Sequence, residues 1–376
     1  MRNTVILDAV RSPIGLKSGK LVGIRPDDLT SEVVKALLER NPDFSKENIE
    51  DVVIGCAFPE GSQGMLISRG VSILSGIPKE SAAKVVNRFC GSAMDAVHQV
   101  SQAIDAGDIS CGLAGGVEDM FGVPMGGFNP DFNPELYENE YYIGMGETAE
   151  NLANELQIAR EEQEEFSINS HKKALRAIKN GNFENEIVPI TFNGETISID
   201  EGPREPDLEK IKSLSPAFDV NGSITPATSS PISIGASALL MMDEKMAQKY
   251  GLSYEFKIIG RSIAGVDWRT MGAGPLPATE KVLKRTGLNI NDIDAIELNE
   301  AFAAQSLYVI KKGGWDIDKI NINGGAIALG HPLGCSGSRI IGTLMNVMKQ
   351  NDMKYGLATM CIGTGQGIAT IIERIK

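Results

Sequence analysis

Metal-binding and disulfide signatures are missing from this sequence. No C-x-x-C pair occurs, and 376 residues hold only three histidines and five cysteines. That argues against a structural zinc site, which needs several such ligands at close spacing. The cysteines (Cys56, Cys90, Cys111, Cys335, Cys361) are odd in number. Free thiols in a reducing compartment fit better than a disulfide framework. No apolar run approaches a membrane span. Positive charge is in deficit, with 36 Lys and Arg against 49 Asp and Glu and a net charge of −13. This argues against general nucleic-acid binding but leaves room for an anionic ligand held by a local patch. Met1-Arg2-Asn3-Thr4, running into Val5-Ile6-Leu7, reads as a strand start, not a signal or transit peptide. A cytoplasmic protein is expected.

What is present is length and apolar content, 42% hydrophobic, enough for two or three domains with full cores. Strands are expected at 3–11, 51–57, 83–87 and 111–116. Helices are expected at Asp27–Glu39, Met65–Ser75 and Ser92–Ala106. Strands alternating with helices imply an α/β layer with a mostly parallel sheet. The last helix is apolar on most faces (Ala93, Met94, Ala96, Val97, Val100, Ile104), so it belongs inside a domain. Cys90 stands at its N-terminus, where unpaired N–H groups and the helix dipole favour thiolate.

From Met120 to about Asn133 the chain is rich in Gly, Pro, Met and Phe without a period. Residues 146–180 read as a charged helical stretch, and 183–219 mixes short β-like pieces with Pro and Gly. A weak internal repeat surrounds this region. Residues 48–58 can be laid over 292–302 at an offset of 244. The same offset aligns Asp108, Gly112, Leu113 and Ala114 with Asp352, Gly356, Leu357 and Ala358, and sets Gly91-Ser92 beside Cys335-Ser336. The expected organisation is an N-terminal half at 1–117, an inserted loop domain at 118–232, a return segment at 233–252 and a C-terminal half at 253–376. Equivalent loops of a doubled fold can converge on one cleft, so a reactive group in one half should meet partners from the other.

The second half supplies such partners. Asn321–Gly337 (NINGGAIALGHPLGCSG) is a glycine-rich turn with one histidine leading into a helix. Met360–Gly367 (MCIGTGQG) is a strand end, a cysteine and glycines. Asn299-Glu300-Ala301-Phe302 closes the repeated strand. Glycines let backbone approach a ligand and aim N–H groups at it. Histidine is a base near neutral pH, and with two cysteines it makes a plausible thiol-chemistry set.

With VNRFCGSAMDAV, NEAFAAQ, NGGAIALGHPLGCSG and CIGTGQG in this order, the sequence resembles the thiolase family from end to end. GGVEDMFGVPM (115–125), GMGETAENLA (144–153), TPATSS (225–230) and GLATMCIG resemble the β-subunit group of the bacterial fatty-acid oxidation complex. The resemblance implies a thiolase-like doubled α/β fold in five αβαβα layers with an inserted loop domain. It implies cleavage of 3-oxoacyl-CoA by CoA to acetyl-CoA and a shortened acyl-CoA. Cys90 would carry the acyl group as a thioester. His331 would take the Cys90 proton and, with a water held by Asn299, form an oxyanion site. Cys361 would act as acid and base, and the N–H groups of Cys90 and Gly363 would form a second oxyanion site. Ser230 and Arg204 would bind CoA, with Met145 and Phe302 lining the acyl or pantetheine channel. CoA is then a co-substrate, and no cofactor is bound permanently. The resemblance further implies a homodimer or tetramer, and a hydratase/dehydrogenase α-subunit as possible partner.

Five positions depart from the family pattern: Ala93, Gly144, Ser215, Pro231 and Ile234. Gly144 stands where short-chain biosynthetic members carry His, which favours the degradative reading. Ile234 and Pro231 bear on the CoA loop. The alternatives are an acetoacetyl-CoA thiolase working in condensation, and a CoA-binding scaffold without turnover. Outside the site, Cys56, Cys111 and His98 are read as core, Cys335 as structural, and His171 and the Glu run at 161–165 as solvated.

Overall fold

The computed structural model describes residues 2–375; Met1 and Lys376, the outer limits of the first and last expected segments, lie outside the described residues. The strands of the first half are β1 (Thr4–Arg11), β2 (Gly15–Leu16), β3 (Asp51–Gly55), β4 (Ala82–Val86) and β5 (Cys111–Asp119). Then come β6 (Ile190–Phe192), β7 (Glu195–Ile197) and β8 (Ser233–Asp243), followed by β9 (Phe256–Gly265), β10 (Ala295–Leu298), β11 (Tyr355–Ile362) and β12 (Gln366–Arg374). One sheet runs in the order β10-β11-β12-β9-β1-β8-β5-β3-β4, with β2 paired to β8; β6 and β7 form a separate hairpin.

That sheet is one pattern used twice. The seam is short, with Val5 paired to Lys257 and Ile6 to Phe256. Outward from it the two sides match, β8-β5-β3 against β12-β11-β10. In parallel β3–β5, Asp51 pairs with Gly112; in parallel β10–β11, Ala295 pairs with Gly356. Both positions shift by 244, the offset visible in the sequence. Between β11 and β12 lie three residues, Gly363-Thr364-Gly365; between β5 and β8, the equivalent connection, lie residues 120–232.

The two half-sheets enclose helices Ser92–Ala106 and Leu333–Gln350. Met94, Val97 and Ile104 of one helix, and Ile340 and Leu344 of the other, share a core with Ala114, Met241, Met360 and Ile372 from both half-sheets. Helices Pro26–Glu39 and Ile67–Leu74 cover the first half-sheet from outside, and Pro275–Thr286 and Ala303–Gly313 cover the second. Five layers result. Each fully buried large apolar side chain contributes about 1.5–3 kcal/mol of transfer free energy.

Two helix expectations shift. The helix expected from Met65 starts at Ile67, because Met65 (φ +50°) and Leu66 (φ +58°) take left-handed backbone. The charged stretch is two helices, Met145–Leu156 and Arg160–Lys179, broken at Gln157 with φ +51°. The long connection is anchored on β1. Buried Arg11 makes a bidentate pair with Asp200 (2.6 and 2.9 Å) and reaches Glu186 at 2.7 Å. Among the described residues, no helix is long and apolar enough to cross a membrane.

Candidate active site

The site is built where the two central helices begin. They approach backbone to backbone: a Cβ at Gly337 would lie 2.2 Å from the Met94 nitrogen. Each helix carries a serine near its start, and these serines are repeat mates. Ser92 Oγ donates to the Phe89 carbonyl (2.6 Å) and accepts the Arg88 N–H (2.9 Å). Ser336 Oγ donates to the Pro332 carbonyl at 2.9 Å. One clamps the turn that carries Cys90, the other the turn that carries His331.

Cys90 sits in the turn Phe89–Gly91, which Phe89 enters with a left-handed φ of +42°. Its thiol is nearly covered, 8% exposed, and packs against the β11–β12 turn. A Cβ at Gly91 would lie 2.5 Å from Ile362 Cδ1, so any larger residue there would have to push the Ile362 side chain aside. Arg88 Nη1 holds Gln366 Oε1 at 2.8 Å from the other side of the same turn. Burial pushes the thiol up to about 11, against the N–H groups of Gly363 and of Cys90 itself, which favour thiolate. The expected net bias toward thiolate is therefore overturned. The Cys90 and Gly363 N–H groups do face the sulfur, but removal from water outweighs them.

His331 lies in the turn before Leu333–Gln350 and is 4% exposed. Nε2 meets Asn299 Nδ2 at 3.3 Å, and Nδ1 meets Ser336 Oγ at 2.6 Å. Burial first, and the nearby Arg339 charge second, lower its pKa to about 3, so the ring is neutral. Asn299 follows β10; its Oδ1 is buried without a protein partner. Cys361, on β11, is buried, and its thiol is pushed up by burial and then by the neighbouring Cys90. Cys90, Gly363 and Cys361 are thus brought together, as are His331 and Asn299.

Two buried carboxylates hold the histidine turn from both ends. Glu118 accepts N–H groups from Ala57 (2.7 Å), Phe58 (3.2 Å) and Gly334 (2.8 Å), and the Gln63 amide (2.9 Å). Glu300 accepts Ser170 Oγ (2.7 Å), Asn321 Nδ2 (2.8 Å) and the Ile327 N–H (3.1 Å). Burial raises both carboxyl groups above the ordinary carboxylate range.

Of the residues expected to bind CoA, three lie on one side of the site. Ser230 N donates to the Ala301 carbonyl at 3.0 Å, beside Phe302. Phe302 meets Phe218 edge-on at 5.7 Å, and the Phe218 ring covers Gly146, next to Met145. Met145 Sδ would lie 3.3 Å from a Cβ at Gly363. Arg204 instead lines a cavity of about 310 Å³ with His171, Pro226 and Ala227, three residues short of Ser230. A larger cavity of about 630 Å³ lies behind Glu300, along helix Arg160–Lys179, and none of Cys90, His331 or Cys361 lines it.

Other residues differ from expectation. His171 is not solvated but 6% exposed, with Nδ1 accepting the Arg204 N–H at 3.4 Å. In the Glu run, Glu164 is buried and paired with Arg160 at 2.7 Å. Ile234 is fully buried in β8, opposite Gly15, in the core beneath the outer helices. His98, read as core, is buried with Nε2 at 2.8 Å from Thr370 Oγ1.

The thiolase N-terminal domain model matches residues 4–245, and the thiolase C-terminal domain model matches residues 253–374. The chain belongs to the thiolase family. It is 48% identical over 387 residues to the 3-ketoacyl-CoA thiolase of Shewanella loihica, covering all of both chains. It is 48% identical over 391 residues to that of Alcanivorax borkumensis, covering 100% of this chain and 99% of the other. The crystal structure of the Bacillus anthracis acetyl-CoA acetyltransferase superposes with a TM-score of 0.91 at 35% identity, over 100% of this chain and 99% of that one.

Sequence reasoning on this thiolase passed over Glu118, Glu300 and Ser336, although all three lie inside quoted motifs (GGVEDM, NEAF and GCSG). A signal existed for Ser336, since the 244 offset lays it on Ser92. For Glu118 the signal was an acidic residue in an otherwise apolar strand, which requires donors when buried.

Proposed function

We propose that this thiolase-family enzyme cleaves 3-oxoacyl-CoA with CoA, giving acetyl-CoA and an acyl-CoA two carbons shorter. The observation that carries the reading is the convergence on Cys90. The N–H groups of Gly363 and Cys90 face its sulfur, and the neutral Cys361 thiol is near enough for Cys90 to raise it further. Cys90 is the nucleophile. Its neutral thiol and the neutral His331 form the resting pair, so the proton leaves sulfur as the S–C bond forms. His331 takes that proton and, with a water held by Asn299, stabilises the thioester or enolate oxygen. The N–H groups of Cys90 and Gly363 make the second oxyanion site. Cys361 protonates the departing acetyl-CoA enolate and deprotonates the incoming CoA thiol. A preorganised donor matters most where charge develops; losing one costs about 100- to 1000-fold in rate.

CoA is the co-substrate. Ser230, Met145 and Phe302 contact its pantetheine arm or the acyl chain, and Arg204 meets the adenine end. The four-part division at 118, 233 and 253 accompanies this reading, with CoA bound by the inserted loop domain. Identity to the 3-ketoacyl-CoA thiolases exceeds that to the acetyl-CoA acetyltransferase, which supports the degradative direction. A homodimer is proposed through the open edge of β4, flanked by exposed Met65, Leu66, Ile73 and Leu74. Tetramers and an α-subunit partner remain part of the proposal, as does a cytoplasmic location, which five unpaired cysteines support.

Purified protein is assayed for thiolysis of acetoacetyl-CoA and of a long-chain 3-oxoacyl-CoA, with Cys90→Ala as control. Faster turnover of the long substrate and a labelled acyl group trapped on Cys90 are expected. Preference for acetoacetyl-CoA would move the reading to the short-chain alternative, and turnover that survives Cys90→Ala sinks the proposal.

A further inference from the structure

We infer that Ser336 is a positioning residue that holds the His331 ring with its proton on Nδ1, leaving Nε2 as the basic nitrogen toward Asn299. The inference deepens the acyl-transfer reading and rests on it for the role of His331 as base. Three contacts carry it. Ser336 has one hydroxyl proton, and Oγ lies 2.9 Å from the Pro332 carbonyl, which can only accept. With its proton directed there, Oγ must accept from its other neighbour, Nδ1 of His331, at 2.6 Å. Nε2 then carries the lone pair, and its neighbour at 3.3 Å is a donor, the Asn299 amide. With the Asn299 amide in this orientation, every contact in the chain is donor to acceptor only in this tautomer. A proton on Nε2 would face the Asn299 NH₂ group. It would also draw the serine hydroxyl away from Pro332.

The relay is rigid. Ser336 is fully buried, and its own N–H also donates to the Pro332 carbonyl at 3.0 Å. When Nε2 takes up the Cys90 proton, the Nδ1–H···Oγ–H···O=C chain needs no rearrangement, and it disperses the imidazolium charge toward Pro332. The repeat places an equivalent serine in the first half. Ser92, its mate, performs the same clamp one helix away, on the turn that carries the nucleophile.

The test uses the low histidine count. Protein labelled with ¹⁵N-histidine carries only His98, His171 and His331, and His331→Asn identifies the third set of ring signals. The wild-type long-range ¹H–¹⁵N spectrum is expected to show a protonated Nδ1 and an unprotonated Nε2. A proton on Nε2 overturns the inference, and this measurement needs no Ser336 variant. In Ser336→Ala the Nδ1–H preference is expected to be lost. There kcat falls about 10- to 100-fold, part of what general acid–base catalysis supplies, with KM within about twofold. Ser336→Thr, which keeps the hydroxyl, is expected to restore the tautomer and most of kcat. An alanine variant that keeps both tautomer and kcat overturns the role of the serine. Unchanged thiolysis in His331→Asn overturns the underlying reading of His331, a result distinct from the other two.

Discussion

The Glu118 carboxylate accepts the backbone N–H of Gly334 at 2.8 Å, joining a strand of the first half to the first turn of a helix in the second. Both residues are buried, and three further N–H donors converge on the same carboxylate. Glu118→Gln presents an NH₂ group where only acceptors fit. At least one donor is left unsatisfied, at a cost of about 1–3 kcal/mol. Denaturant unfolding should show that loss. Unaltered stability would mean that the junction is held by packing alone.

Cys90 provides a pH test. With its thiol near 11 in the free enzyme, thiolate is scarce at neutral pH. The rate of iodoacetamide modification at Cys90, followed by peptide mass spectrometry, should rise about tenfold per pH unit up to pH 9 without levelling. A plateau near pH 7 would show that the facing N–H groups outweigh burial.

Glu297 is fully buried, and burial pushes its carboxyl up to about 8, with Arg339 Nη1 at 4.0 Å giving partial compensation. Because the folded pKa exceeds the unfolded one, the folded state binds the extra proton between about pH 4.5 and 8. Its contribution is complete below the unfolded pKa and is lost as pH rises through the folded one. Wild type should therefore lose stability relative to Glu297→Gln between pH 5 and 8, on the order of a few kcal/mol. A pH-independent difference between the two proteins would refute the shift.

Gly91 tests the close approach of the Cys90 turn to the β11–β12 turn. Gly91→Ala puts a Cβ 2.5 Å from Ile362 Cδ1 and should destabilise by about 1–3 kcal/mol through overpacking. Ile362→Val removes that terminal methyl, so the double variant should recover part of the loss. Additive losses in the cycle would separate the two sites.

Much of this architecture could be read in the chain itself. The buried helix after Cys90 was legible because Ala93, Met94, Ala96, Val97 and Val100 leave it only a narrow polar stripe, Gln99, Gln102 and Asp105. The repeat was legible because paired strands kept their spacing, and an offset of 244 reappears as the register of β3–β5 and β10–β11. The motif residues were legible because glycines mark turns in which backbone N–H groups are exposed. Local pattern and spacing therefore determined the doubled α/β design and the candidate nucleophile, base and second thiol.

Only the tertiary structure decided what state those groups are in. Cys90 at a helix start suggests thiolate, yet its thiol is raised, because desolvation depends on residues far away in sequence. His171 beside two lysines suggests solvent, yet the chain folds Arg204 over it. Glu118 acquires a partner 216 residues away, and no local pattern reports a contact across two half-sheets. Proton positions and pKa shifts are sums over neighbours in space. Sequence specifies those neighbours only through the completed fold.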